Sequence, residues 1–374
     1  MSSADLRRKR QQDILDVVSG SLPEGAEVSA LGDFGEEILL HIGFPDPNLT
    51  DSDEQRISAL LERSGYHVVW VRKQNSSFLR IRTPLKKSIP WTNIVMFALT
   101  CVSVFFVPQC TQYQMQAALA GNQSVLNPLD WLMTPSAWLV EWGASFTFWL
   151  LFILLAHEFG HYFAGRRRNL RLSLPYFIPF PSIIGTMGAV IRFRSAIENR
   201  RDLLEIGAAG PIAGFIVAVI AIAIGLSQTD VTVPGAFYMR GESILMTLMG
   251  QIFLPGGVTD VAFDLHPAAF AGWVGLLVTA LNLLPLGQLD GGHIVYGMFG
   301  KKQRSVAWVA LVGLFIAGLY WPVWWFYGFL ALMFGPFHGQ TMHDEAPLTA
   351  SARSMGYISI VIFILSISLA PFGP

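Results

Sequence analysis

The stretch LLFILLAHEFGHYFAGRRR, residues 150–168, sets two imidazoles and a carboxylate inside an otherwise apolar run. His157 and His161 are four residues apart, so on a helix they share one face and can both reach one metal ion. Glu158 adjoins the first of them, where a carboxylate can accept the proton of an attacking water. Zinc suits imidazole and carboxylate donors with one position left open, so one Zn2+ per chain is expected. The plainer alternative is a pair of packing histidines and a glutamate that snorkels to the membrane interface. It leaves a carboxylate between LLFILLA and FGHYFAG with little to offset its desolvation.

The elements that carry this motif follow from composition. Of 374 residues, 52% are hydrophobic and 14% charged, with 27 Phe, 11 Trp and a mean hydropathy of +0.47. A soluble domain of this size carries nearly twice that charge, so the chain reads as an α-helical polytopic membrane protein embedded in a lipid bilayer. The net charge of −1 and the lack of a basic patch interleaved with aromatics give no sign of nucleic-acid binding. Two cysteines, Cys101 and Cys110, are too few for a disulfide framework or a four-thiolate zinc site and are expected as free thiols. The opening MSSADLRRKRQQD lacks the apolar core of a secretory signal.

Residues 1–86 are polar, and EEILLHIGF, DSDEQRISALLERSG, YHVVWVR and SSFLRIRTP read as strand, capped helix, strand and strand. A small cytosolic α+β domain is expected there, with residues 87–374 as the membrane domain and a catalytic core at about 138–300. Apolar runs at 91–107, 138–165, 203–226, 266–286 and 358–370 are candidate spans. The fourth is long enough to run on past Asp290, and residues 307–334 are either one span or a helical pair, giving about six to seven transmembrane helices. Lys and Arg crowd the first 86 residues, 166–168, 192–201 and 301–304, whereas the segments after the first and third spans hold only Arg240. The N-terminus and the RRR cluster are therefore expected on the cytosolic side.

Depth narrows the third ligand. At about 1.5 Å of rise per residue, His157 lies roughly 14 Å inside the RRR edge. Asp290, in NLLPLGQLDGGH, is eleven residues before Lys301 and so at a similar depth if the intervening chain is extended or helical. The rival ENRRD, with Glu198 and Asp202, is embedded among arginines and reads as an ion-paired surface segment, while His293, His338 and His343 match the depth less well.

HEFGH on one span, AAGP at 208–211 opening the next and NLLPLGQLDGG ending a third resemble, in that order, the site-2 protease family of intramembrane zinc metalloproteases. The resemblance covers roughly residues 140–300. It implies His157, His161 and Asp290 as zinc ligands, Glu158 as general base, and Asn282 as a residue that orients substrate or stabilises the oxyanion. For Asn282 a hydrogen bond across helices is the simpler role. The segment 227–265 is too short for the inserted peptide-binding PDZ domain of some family members, which leaves residues 1–86 as the candidate contact for a cytosolic regulator.

A helical substrate hides its carbonyls, so a scissile segment must unwind and be held. The run FPSIIGTMGAVIRF, residues 180–193, suits that task by strand addition, and the family resemblance points to a substrate-binding hairpin in the same place. Gly185 and Gly188 suit a tight turn, and residues 189–193 are strand-like, so Gly185, Gly188, Ala189, Val190 and Ile191 are candidate substrate-binding residues. An ordinary re-entrant loop is the alternative.

The expected partner is thus a single-span membrane-protein substrate, cut near its cytosolic end. A metal transporter or channel is the rival class, favoured by ionisable residues at depth. It calls for several ligand layers where the sequence offers one. A catalytically silent scaffold has no use for Glu158. With no organellar address apparent, the plasma membrane of a prokaryote is the default location.

Overall fold

The computed structural model describes residues 3–22, 26–33, 37–43, 51–73, 76–82, 89–119, 137–180, 184–231, 243–254, 264–338, 341 and 347–368. Two compact units emerge. One gathers Met1–Ile89 with Asn169–Ser173 and Arg192–Ala196, and the other holds the rest of the chain.

In the first unit, α1 (Ser3–Ser19), β1 (Glu27–Asp33), β2 (Glu37–Gly43), α2 (Asp51–Arg63), β3 (His67–Lys73) and β4 (Ser76–Arg82) follow one another. The strands form an antiparallel sheet of order β1-β2-β4-β3. Alternate residues Ile38, Leu40 and Ile42 of β2 and Leu79 and Ile81 of β4 point to one face, as strand geometry requires. There they bury against Ile14 and Val18 of α1 and Ile57 and Leu61 of α2. Asp51, Asp53 and Glu54 in the first turn of α2 and Arg63 in its last complement the helix dipole. The expected strand, helix, strand and strand are present, while α1 and β1 are additional elements.

The opposite sheet face carries charge. Glu37, fully buried, pairs with Arg80 at 3.3 Å and Arg82 at 2.9 Å. The backbone of Ala196 completes the cluster: Arg80 Nη2 donates to its carbonyl at 2.9 Å, and its N–H points at Glu37 Oε1 at 3.4 Å. Segments 169–173 and 192–196 run antiparallel there, with a bridge between Leu172 and Phe193. Arg194 N–H donates to the Arg171 carbonyl at 2.8 Å, and Ser173 N–H to the Arg192 carbonyl at 3.0 Å.

The second unit is mainly helical: α3 (Trp91–Leu119), α4 (Ala137–Arg167), the strands β5 (Tyr176–Pro179) and β6 (Thr186–Val190), α5 (Arg200–Ser227), α6 (Ile244–Phe253) and α7 (Pro267–Asn282). Then come α8 (Asp290–Phe299), a 3-10 turn, α9 (Gln303–Ala317), α10 (Val323–Phe334) and α11 (Ala350–Ser366). Leu150, Ile153 and Leu154 of α4, Ala218 and Ile222 of α5 and Val274 of α7 meet in its core. By length and composition, Val140–Arg167 and Arg200–Ser227 can cross a membrane, and five shorter apolar helices accompany them among the described residues.

The apolar run 266–286 does not continue past Asp290 as one helix. It ends at Asn282, and residues 283–289 turn before α8 restarts at Asp290. Pro285 and Gly287 account for the break: proline lacks the helical N–H, and Gly287 adopts a φ of +49°. Residues 307–334 resolve into a helical pair, α9 and α10, with Pro322 opening the second.

Candidate metal centre

Helix α4 delivers His157 and His161 as adjacent turns of one face, with ring centroids 4.9 Å apart. Asp290, the first residue of α8, comes from the far side of the 283–289 turn. Its Oδ2 lies 3.1 Å from His157 Nε2 and 3.3 Å from His161 Nε2. These three donor atoms all lie within 4.8 Å of one another and form the one such group of three found among the described residues.

Local contacts fix how the donors face. His161 Nδ1 lies 2.7 Å from the Ile206 carbonyl. A carbonyl can only accept, so Nδ1 carries a proton and Nε2 is the ring nitrogen turned toward Asp290. Two imidazole nitrogens and a carboxylate oxygen thus converge on one point, where either a proton on an imidazole or a cation can offset the carboxylate charge. Imidazole and carboxylate are donors that zinc accepts in sites with an open position. The residues therefore fit a divalent metal, with zinc the match to their chemistry.

The cradle is built by glycines of α5. A Cβ at Gly210 would lie 2.5 Å from His161 Cε1 and closer still to Nε2 and Cδ2. At Gly214 it would come within 3.1 Å of His157 Cβ and 3.2 Å of its Nδ1. Gly160, inside HEFGH, faces Ala209 so closely that a Cβ would lie 2.5 Å from that carbonyl oxygen. Small residues thus let α4 and α5 touch backbone to backbone, with the imidazoles filling the space that α5 leaves. Sequence reasoning used AAGP only as a marker. The four-residue spacing of Gly210 and Gly214 was the available signal of a close helix crossing.

The LDGG run has a similar logic. A Cβ at Gly291 would collide with the carbonyl of Leu283, and one at Gly292 with that of Gly287. The first turn of α8 therefore folds tightly onto the turn before it, with Asp290 at a helix N-terminus that favours a carboxylate.

Glu158 is 6% exposed, and its carboxylate lies near the backbone of Ile191. Ile191 directly follows β6, so the hairpin strand and the acid of HEFGH meet. Strands β5 and β6 pair antiparallel, Tyr176 with Val190 and Phe177 with Ala189, as a two-stranded sheet whose outer edges have no strand neighbour among the described residues. Gly185 adopts a φ of +77° just before β6, and Gly188 a φ of +94° within β6, where the pairing with β5 shifts register. Val190 is 51% exposed. The strand begins and ends three residues before the expected 189–193, its partner β5 lies upstream of the expected segment, and residues 181–183 fall outside the described residues.

Asn282 ends α7, and among the described residues its side chain makes no hydrogen bond. Asp202 lies away from the donor group and pairs with Arg168 at 3.2 Å. Glu205 pairs with Arg168 and, at 3.2 Å, with Arg201. ENRRD is thus an ion-paired segment that ties the end of α4 to the start of α5. His293 and His338 contact each other, with ring centroids 4.8 Å apart, and neither joins the three-donor group. His343 falls outside the described residues.

Residues 145–319 match the sequence profile of Peptidase family M50. The chain is 37% identical over 191 residues to the probable zinc metalloprotease EGY1, chloroplastic, of Arabidopsis thaliana, covering 48% of this chain and 34% of that protein. It is 32% identical over 239 residues to the probable zinc metalloprotease EGY2, chloroplastic, of Oryza sativa subsp. indica, covering 59% and 42%. It is 31% identical over 236 residues to EGY2 of Arabidopsis thaliana, covering 58% and 39%. The chain thus spans about a third to two fifths of the length of these curated relatives. No solved structure matches it.

Proposed function

Through residues 145–319 the chain belongs to peptidase family M50, the site-2 protease family, and on that premise we propose that it is an intramembrane zinc metalloprotease. Its substrate is a single-span membrane protein, cut within or beside the transmembrane segment near the cytosolic end. The observation that carries this reading is the convergence of His157, His161 and Asp290 next to Glu158 on an apolar helix long enough to cross a membrane.

His157, His161 and Asp290 would hold the metal. Zinc held there would supply Lewis-acid polarisation of water and of the scissile carbonyl and would offset the negative charge on the carbonyl oxygen. Glu158 accepts a proton from the attacking water and returns it to the leaving amine. A general base of this kind contributes about 100- to 10,000-fold. Asn282, upstream of LDG, is assigned the role of orienting substrate or stabilising the oxyanion.

Substrate held along β6 brings its peptide beside Ile191 and so beside Glu158. Strand addition supplies hydrogen bonds to a segment that has given up its helical ones. Gly185 and Gly188 shape the hairpin, while Ala189, Val190 and Ile191 offer the backbone edge. Residues 1–86 are a candidate contact for a cytosolic regulator. The membrane is crossed several times, with the N-terminus on the basic, cytosolic side. A prokaryotic plasma membrane remains the expected location, and the word chloroplastic belongs to the relatives' names.

The test is cleavage in liposomes of a panel of single-span substrates, with the cut mapped by mass spectrometry and repeated with a zinc chelator. Cuts in or beside the transmembrane segment that chelation abolishes support the proposal. Cuts that survive chelation, or that fall only in soluble regions, overturn it.

A further inference from the structure

His157 and His161 sit on one rigid helix, so their separation is fixed by helical geometry. Asp290 is different: it follows a non-helical turn, and the accuracy of the metal centre depends on what holds that turn. Backbone groups of a turn within an apolar helical unit need partners, because lipid offers none. The structure supplies them from Gln303.

Gln303 opens α9 and is 1% exposed, although its sequence neighbours are Lys301, Lys302 and Arg304. Its Nε2 donates to the carbonyls of Pro285 at 3.4 Å and Pro336 at 3.3 Å. Its Oε1 accepts from His338 N–H at 3.1 Å. The Pro336 carbonyl also accepts from Gly287 N–H at 2.9 Å, and a Cβ at Gly287 would collide with the Gly335 carbonyl. The turn that precedes Asp290 is therefore clamped to residues 335–338, with one amide joining the two. Both Nε2 hydrogens are committed, one to each segment, which a carboxylate or an aliphatic side chain cannot reproduce.

We propose that Gln303 is a positioning residue for the metal centre: by clamping residues 283–289 to 335–338 it sets where Asp290 Oδ2 stands relative to His157 and His161. The proposal rests on the zinc reading of that site. Metal–ligand distances tolerate about 0.2 Å, so a turn that shifts by more than this costs affinity. Replacing Gln303 with Glu turns carboxylate oxygens toward two carbonyls. Replacing it with Met keeps the length and leaves those carbonyls without their donor.

The experiment compares wild type, Gln303→Glu, Gln303→Met and Asp290→Ala as full-length chains in detergent. Zinc affinity is measured by competition with a chromophoric chelator, and the thermal midpoint with and without zinc. The expected result is at least a tenfold loss of zinc affinity in both Gln303 variants, as for supporting residues of metal sites generally. The zinc-induced rise in midpoint shrinks in step, because ligand stabilisation follows affinity. Gln303→Asn, one methylene short but still an amide, falls between. A lower zinc-free midpoint with unchanged zinc affinity means that Gln303 only supports the fold, and overturns the proposal. If Asp290→Ala binds zinc as wild type does, the zinc reading fails and the positioning role with it.

Discussion

Gly210→Ala adds one methyl group where His161 already sits. The new Cβ would lie 2.5 Å from Cε1 and nearer to Nε2 and Cδ2, whereas carbon contacts are ordinarily at about 3.5–4.0 Å. The ring must therefore move by about 1 Å, or α5 must retreat from α4 by the same amount. Retreat forfeits the close backbone packing of Gly160 against Ala209 and Gly210. Movement of the ring breaks the 2.7 Å bond from Nδ1 to Ile206 and carries Nε2 off the shared donor position. Overpacking of this kind costs about 1–3 kcal/mol. If it falls on the metal centre, a loss near the upper end is about 100-fold in zinc affinity. Gly214→Ala meets His157 at 3.1–3.2 Å, which a few tenths of an ångström relieve, so its loss is smaller. Gly313→Ala on α9 has nothing within 4 Å and is the control. Zinc competition titration gives equal affinity for wild type and Gly313→Ala, weaker binding by Gly214→Ala and the weakest by Gly210→Ala. Zinc binding by Gly210→Ala equal to that of the control would refute the cradle.

Glu158→Gln removes the base and leaves the three donors, so it should keep one zinc per chain and lose cleavage by about 100- to 10,000-fold, read by product formation in liposomes; cleavage near the wild-type rate sinks the general-base role. Val190→Pro, on the exposed edge of β6, should abolish cleavage while zinc content stays at wild-type level, and undiminished cleavage removes strand addition from the account. Glu37→Gln removes a buried carboxylate that pairs with both Arg80 and Arg82 and so destabilises the first unit. Hydrogen exchange in residues 38–42 and 192–196 should quicken together in that variant, and unchanged exchange at 192–196 contradicts the Ala196 contact.

The three-donor group was legible as a candidate site because its residues obey two separate rules. HEFGH carries i, i+4 spacing on a run too apolar to tolerate it idly, and Asp290 lies at a matching depth counted from Lys301. The break before Asp290 was hidden by the apolar letters of LLPL, although Pro285 and Gly287 announce a turn. The glycine cradle was partly visible as spacing, but nothing in one sequence says which helix Gly210 faces. Gln303 was invisible for a physical reason: between Lys302 and Arg304 it reads as part of a solvated basic cluster, and only packing shows it buried. In the first unit, α1 escaped because RRKRQQD masks a helix that buries Ile14 and Val18 alone. The contact between Ala196 and the Glu37–Arg80 pair joins residues more than a hundred apart in the chain, beyond any local pattern.

The central claim is that His157, His161 and Asp290 together hold one zinc ion. Its most direct measurement is zinc K-edge X-ray absorption on the purified chain, with zinc content determined on the same sample. One zinc per chain, a shell of nitrogen and oxygen donors with two imidazoles, and a shell altered in Asp290→Ala are the predicted results. A chain that holds no zinc, a shell containing sulfur, or a spectrum unchanged in Asp290→Ala would contradict the account.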